Sequence, residues 1–272
     1  MVCAVSGGAD SMALLVLACA AFEGDQVTAV HVDHGLRRGS ADEADVVADA
    51  AARYGARFEA RRVELRAGPN LEARARRARQ AVLPLAAMTG HTADDSVETV
   101  LLNLLRGAGL DGLAGIRPGP TKPLLGLRRT ETRALCSAEG LTWIEDPSNH
   151  DPSHRRNRVR HELVPLLDDI ARRDVVGVVA RQAELLRADA DHLDAKAMAL
   201  DPTDALALAA APAALARRAV RRWLAMEHPP DAATVERVLA VARGHGSACD
   251  IGEHRQVRRT AQRLRVVDLP RR

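Results

Sequence analysis

The chain has 272 residues, room for about two domains at roughly 100–200 residues each, with 47% hydrophobic and 28% charged side chains. That balance supports a buried core and excludes a disordered or fibrous chain. No run nears the ~18 apolar residues of a membrane span, the start lacks the pattern of a secretory signal, and Cys3, Cys19, Cys136 and Cys249 show no C-x-x-C spacing. An integral membrane protein, a disulfide scaffold and a cysteine metal site are thereby excluded, and the default compartment is a reducing cytoplasm.

Residues 1–126 carry 14 basic and 15 acidic side chains, and residues 127–272 carry 25 and 21, so the net charge of +3 sits in the second half. Only Lys122 and Lys196 are lysines, and the Ala and Arg bias fits a GC-rich genome. Aromatic residues are 2%, too few for a base-stacking platform of the single-strand-binding type.

In chain order, Val2–Val5 reads as a short strand and Ser11–Phe22 as an apolar helix. Val27–Val32 is a buried strand. Ser40 and Glu43 form a capping box that opens a helix to about Tyr54, and Arg57–Val63 is a third strand. Asn70 caps an Arg-rich helix ending near Leu83, before Pro84, and a short fourth strand occupies about Ala86–Thr89. Thr92 caps a helix over Asp94–Leu105. Thr130–Glu139 is helical and Leu141–Glu145 a strand. Strands alternating with helices predict an α/β fold, a Rossmann-like parallel sheet with ligands at the strands' carboxyl ends. After about residue 166 the pattern turns mainly helical: Leu166–Leu200, the Ala-rich 205–216, Pro212–Met226 and Asp231–Arg243. Short strands follow over Ala248–Val267. The expected division is residues 1–166, a nucleotide-binding catalytic domain, and 167–272, a helical substrate-binding domain.

Three motifs fall at predicted strand ends. Ser6-Gly7-Gly8-Ala9-Asp10-Ser11 joins the first strand to the first helix. Its glycines permit a tight turn, and the helix start offers free N–H groups to an anion. Asp10 would repel a bare phosphate, so its natural task is to hold Mg²⁺ on a pyrophosphate. The loop is neither a Walker A motif nor G-x-G-x-x-G. His31-Val32-Asp33-His34 follows the second strand. Its residues are either local hydrogen-bonders or contacts to a nucleotide, the backbone edging the adenine and Asp33 or His34 meeting ribose or substrate, with His31 and Asp33 the ATP-site candidates. In Gly90-His91-Thr92-Ala93-Asp94-Asp95-Ser96-Val97-Glu98-Thr99, Asp95 and Glu98 share one helical face. They are either helix-capping acids or a carboxylate pair that binds a cation or takes a proton. Arg155, Arg156, Arg158 and Arg160 form a basic segment, either a solvated helix end or a phosphate-binding surface. Arg217, Arg218, Arg221 and Arg222 are either a second such surface or the wet face of a helix that buries Val220, Trp223 and Leu224.

The S-G-G-x-D-S loop resembles that of the PP-loop ATP-pyrophosphatases. In order, H-V-D-H-G-L-R from His31, A-R-x-x-R at 75–79, G-H-T-A-D-D-S-V-E-T from Gly90, R-G-A-G-L-D-G-L from Arg106, K-P-L-L from Lys122, W-I-E-D-P-S-N from Trp143 and R-N-R-V-R from Arg156 resemble the tRNA(Ile)-lysidine synthase family. The D-P-S-N and R-N-R-x-R pair discriminates most. Gln80 stands where the family has Tyr, the stretch between Arg79 and Gly90 is short, and the resemblance starts directly at the first strand.

The resemblance implies a ligase that adenylates the wobble cytidine of tRNA(Ile) with a CAU anticodon, then joins free L-lysine to its C2, releasing AMP and pyrophosphate. It implies ATP at Ser6, Gly7, Gly8, Ala9, Asp10, Ser11, His31 and Asp33, with Mg²⁺ on Asp10. Asp10, Arg76, Asp95 and Glu98 are then catalytic, Asp95 and Glu98 hold lysine, and Arg155, Arg156, Arg158 and Arg160 meet the tRNA. A homodimer is compatible with it and no membrane is involved. The alternatives are a diverged PP-loop protein that binds nucleotide or RNA without turnover, and a tRNA thiolation enzyme, whose cluster-binding forms need paired cysteines that this chain lacks.

Overall fold

A computed structural model describes residues 1–33, 35, 40–63, 71–226 and 229–270, without the side chains of 40–42, 71–73 and 76. His34, Asn70 and the Ser40 and Arg76 side chains therefore lie outside the described residues. The chain forms two compact units, Met1–Glu184 and Leu185–Arg272.

The first unit runs β1 (Val2–Ala4), α1 (Ala9–Phe22), β2 (Thr28–Asp33), α2 (Ser40–Arg53), β3 (Arg57–Arg62), α3 (Leu71–Val82), β4 (Met88–Thr89), α4 (Ala93–Leu105), α5 (Leu110–Leu113), α6 (Arg129–Ala138), α7 (Arg155–Arg158) and α8 (Val164–Ala171). The four strands lie parallel in the order β3-β2-β1-β4. Cys3 faces Ala29 on one side and Met88 on the other. From β1 the chain thus builds the sheet in one direction, then crosses to β4 on the other side. Such a reversal opens a crevice at the carboxyl ends of the strands flanking it. The loops after β1 and β4 border that crevice.

Local sequence explains the layers. α1 is apolar almost all round because it is covered on both sides; Met12, Leu14 and Leu15 are buried, and α6 packs against it. β3 is an edge strand and carries Arg57, Glu59, Arg61 and Arg62, charges that discourage edge-to-edge pairing. β4 is cut to two residues because Pro84 ends α3 and its carbonyl accepts from Ala87, consuming the preceding residues in a turn. Leu102, Val159 and Val176 join a separate apolar cluster under α4, with Leu163 and Leu167 against it.

Two expected elements differ. Leu141–Glu145 is not a ladder strand: Leu141 N–H caps α6 at Cys136 and Ile144 N–H donates to Gly7 O at 2.9 Å, so its backbone is committed elsewhere. The helix expected over 166–200 breaks at Arg172, which is left-handed at φ 53°. Asp168 and Asp174 side chains accept from the N–H groups of Val175 and Val176, and this local competition restarts the helix as α9 (Val175–Ala197).

The second unit holds α10 (Ala205–Ala210), α11 (Ala213–Leu224) and α12 (Ala232–Ala242), then β5 (Ala248–Gly252), β6 (Arg255–Thr260) and β7 (Arg263–Asp268) as an antiparallel meander. Pro212 splits the Ala-rich stretch into two helices. Leu208, Val220, Leu239, Val257 and Leu264 form its core. On α11, Arg217 and Arg218 pair with Glu236 and Asp194, and Arg222 donates to the Ala197 carbonyl.

Candidate active site

The crevice is a cavity of about 690 Å³, bordered by the loop after β1, the end of β2 and the start of α4. Gly7 has φ +86°, and a Cβ there would stand 2.5 Å from Ile144 Cδ1. Gly8 is the N-cap of α1. Ser11 Oγ donates to the Gly8 carbonyl at 2.8 Å and accepts from Ser6 N–H at 3.1 Å, so the loop is set before any ligand arrives. Ser6, Gly8, Ala9, Asp10 and Ser11 line the cavity. Gly90 packs on the other side: a Cβ there would meet Asp10 O at 2.7 Å. Only a glycine lets the loop after β4 approach the loop after β1 this closely.

At the end of β2, His31 is buried and donates from Nδ1 to the Val5 carbonyl at 3.0 Å. That fixes Nε2 as an acceptor in the neutral ring; it is buried without a partner in a residue that lines the cavity. Asp33 instead closes a local turn, accepting from Gly35 N–H at 2.8 Å. It is not among the cavity's lining residues.

The acids meet on Arg129. Its Nε donates to Asp10 Oδ2 at 3.4 Å, Nη2 to Asp95 Oδ1 at 3.0 Å and Nη1 to Glu98 Oε1 at 3.1 Å. Glu98 also accepts from Arg156 Nε at 2.8 Å and from Arg160 Nε at 2.7 Å and Nη2 at 3.1 Å. Three carboxylates thus stand among three guanidinium groups. Glu98 is only 2% exposed, and burial would raise its pKa; hydrogen bonds and charge from Arg160, Arg129 and Arg156 overcome this and hold it below the usual carboxylate range. Asp10 goes the other way: burial dominates and raises its pKa, despite the Thr132 hydroxyl and Arg129. Among the described residues no three metal-ligating side chains cluster around one point.

The structure divides the residues expected to act alike. Asp95 lines the cavity and its Oδ2 accepts from Thr92 N–H at 2.9 Å, so it caps α4 and faces the site at once. Glu98 lies behind it, outside the cavity lining. Arg160 reaches Glu98 together with Arg156, whereas Arg155 and Arg158 are exposed, Arg158 held by Glu162 at 2.8 Å. The four are separated within a helical run whose Val159–Leu163 turn widens to i→i+5 bonding just before Pro165, which has no N–H to give.

Arg129 and Thr132 were not singled out by sequence. The available signal is Arg128-Arg129 at a helix start, where a cation opposes the helix dipole and needs nearby acids. Asp94 supplies one, accepting from Arg128 Nε at 3.2 Å and Arg129 N–H at 2.8 Å.

Residues 1–167 match the family model of the PP-loop domain, and residues 204–265 match that of the TilS substrate binding domain. A tRNA(Ile)-lysidine synthase of Nocardia farcinica is 46% identical over 238 residues, covering 81% of this chain and 74% of the relative. The one from Rhodococcus erythropolis is 40% identical over 287 residues, covering 97% and 87%. Among solved structures, the U34-tRNA thiolase NcsA from Methanococcus maripaludis with its [4Fe-4S] cluster is similar at a TM-score of 0.55 and 19% identity, over 68% of this chain and 72% of that one, a likeness of fold. With a PP-loop domain over the first 167 residues and relatives of this identity along most of its length, the chain belongs to the tRNA(Ile)-lysidine synthase family.

Proposed function

We propose that this chain is an ATP-dependent ligase that joins L-lysine to C2 of the wobble cytidine in the CAU anticodon of tRNA(Ile). The observation that carries the reading is the meeting of the Ser6–Ser11 loop and Asp95 in one cavity at the sheet's reversal point. A carbonyl oxygen leaves poorly until adenylated. ATP supplies the adenylyl group, bound with its phosphates over the loop and the N-terminus of α1. Val30, His31 and Val32 line the cavity at the end of β2 and offer the adenine and ribose their contacts.

Asp10, a half-buried carboxylate whose ionised form is penalised by burial, would hold Mg²⁺ here, and the ion would supply positive charge to neutralise the departing pyrophosphate. Arg129 holds Asp10 and Asp95 together on the cavity wall, which makes its positive charge available to the negative charge of an adenylated intermediate. Arg76, from the resemblance, is the second candidate for that task.

Lysine enters as a cation and must lose a proton before its side-chain nitrogen attacks. Asp95, on the cavity wall, is positioned to take the ammonium and its proton. Glu98 supports this at one remove by fixing Arg129, Arg156 and Arg160. Lysine displaces C2–O as AMP, and the lysidine base remains. The test is incubation with ATP, labelled lysine and the tRNA(Ile) transcript. Label in RNA, dependent on ATP, supports the reading; nucleotide and RNA binding without label points to a PP-loop protein lacking turnover.

A further inference from the structure

A second polar cavity, of about 420 Å³, adjoins the first; His91 lines both. Its wall brings together segments far apart in sequence: Arg106 after α4, Lys122 before α6, and His154, Arg155 and Arg156 at the start of α7. No Asp or Glu lines it. Arg156 is committed to Glu98. Among the described residues, the side chains of Arg106, Lys122 and Arg155 meet no carboxylate. Elsewhere in this unit Arg128, Arg129 and Arg160 each pair with at least one acid. Lys122 is partly buried and Arg106 and Arg155 are exposed, so their positive charge is open to an anion without first breaking an ion pair. His91 is held from Nδ1 by the Thr89 hydroxyl at 2.8 Å, so the partition between the two cavities is a fixed side chain.

We propose that this pocket receives a backbone phosphate of the RNA, next to the nucleotide whose base enters the first cavity. This assignment of the pocket rests on the ligase reading above. In a single-stranded loop, neighbouring phosphates lie within one nucleotide of the reacting base, and two adjoining cavities with a shared wall suit that spacing. A nucleotide can be held out of its stack only if its flanking backbone is gripped, so the pocket positions the cytidine and leaves the chemistry to the first cavity. Lys122 offers a rotatable point charge, and Arg106 and Arg155 offer forked donors for phosphate oxygens.

The test compares Arg106→Ala/Lys122→Ala with the unaltered chain. Binding of tRNA(Ile) transcript and of its isolated anticodon stem–loop is measured from low to high KCl, with the KM for lysine and lysine incorporation alongside. The double variant is expected to weaken binding of both RNAs and to lower the slope of log affinity against log salt by about 1.4, at roughly 0.7 per lost contact to a single strand. KM for lysine should not move. Arg106→Lys/Lys122→Arg, which keeps both charges, should restore the slope and shows that loss of charge, not of fold, is being read. An unchanged slope overturns the proposal. A raised lysine KM with unchanged RNA affinity also overturns it, because the pocket then holds the amino acid's carboxylate. Loss of affinity for whole tRNA but not for the stem–loop does so too. Lysine incorporation by the unaltered chain decides the ligase reading separately: without it that reading falls, while the salt slope still reports on the pocket.

Discussion

Arg129 donates to Glu98 across 3.1 Å and, through its other nitrogens, to Asp95 and Asp10, so one guanidinium ties the loop after β1 to the first turns of α4. The group at its far end, Glu98, is 2% exposed and receives Arg156 and Arg160 as well. Removing either partner of a buried pair leaves a charge without compensation, which costs more than the pair itself contributes.

Glu98→Ala is therefore expected to destabilise the first unit by about 3–5 kcal/mol, read by urea unfolding. Glu98→Gln keeps the shape and loses the charge, and should fall between. If Glu98 touched only lysine, stability would not change and only the lysine KM would rise.

The same carboxylate sets a pH dependence. Burial raises its pKa, but Arg160, Arg129 and Arg156 outweigh that and lower it below the unfolded value. Its contribution is thus fully present above the ordinary carboxylate range and is lost as pH falls through the lowered folded value. Melting curves of the unaltered chain and Glu98→Gln should converge in acid and diverge toward neutrality. A constant gap across pH would refute the linkage.

Asp10 carries the opposite sign. Burial raises its pKa, so its ionised form is a cost to the fold that diminishes as pH falls through the raised value. Asp10→Asn should leave the melting temperature at pH 7 unchanged or higher, while abolishing ATP consumption and sparing tRNA affinity. Normal ATP turnover in this variant would remove Asp10 from the mechanism.

Gly90→Ala tests the contact between the two loops. A Cβ at 2.7 Å from Asp10 O and 2.8 Å from Asp10 C forces backbone to move. Overpacking of this kind costs about 1–3 kcal/mol, and because Asp10 is what moves, the KM for ATP should rise with stability loss. Gly126→Ala, where a Cβ meets nothing within 4 Å, is the control.

Arg156→Ala and Arg158→Ala separate two neighbours. Arg156 supports Glu98, so its loss should lower stability and kcat. Arg158 is exposed on Glu162. Its loss should spare the melting temperature and lower the salt slope of tRNA binding by about 0.7–0.9 if it meets a phosphate. An unaltered slope makes it a surface residue.

The order of strands and helices through residue 138, apart from the short α5, was legible because these elements carry their own local signals: an apolar run, a cap, a glycine or a proline. The Ser6–Ser11 loop and the Asp95–Glu98 spacing were legible for the same reason, since both are set by residues close in sequence. Leu141–Glu145 was misread because its pattern is extended, yet which backbone it bonds is decided by Gly7, over a hundred residues away. Sequence likewise joined Arg155, Arg156, Arg158 and Arg160 into one basic segment and set Asp95 equal to Glu98. Only the fold separates them, because burial and the reach of a side chain depend on what packs opposite: Glu98 faces inward to Arg129, while Asp95 opens to the cavity. Arg129 itself is an ordinary helix-start residue in sequence. Its role exists only where α1, α4 and α6 bring three acids around one guanidinium, and no local pattern encodes that meeting.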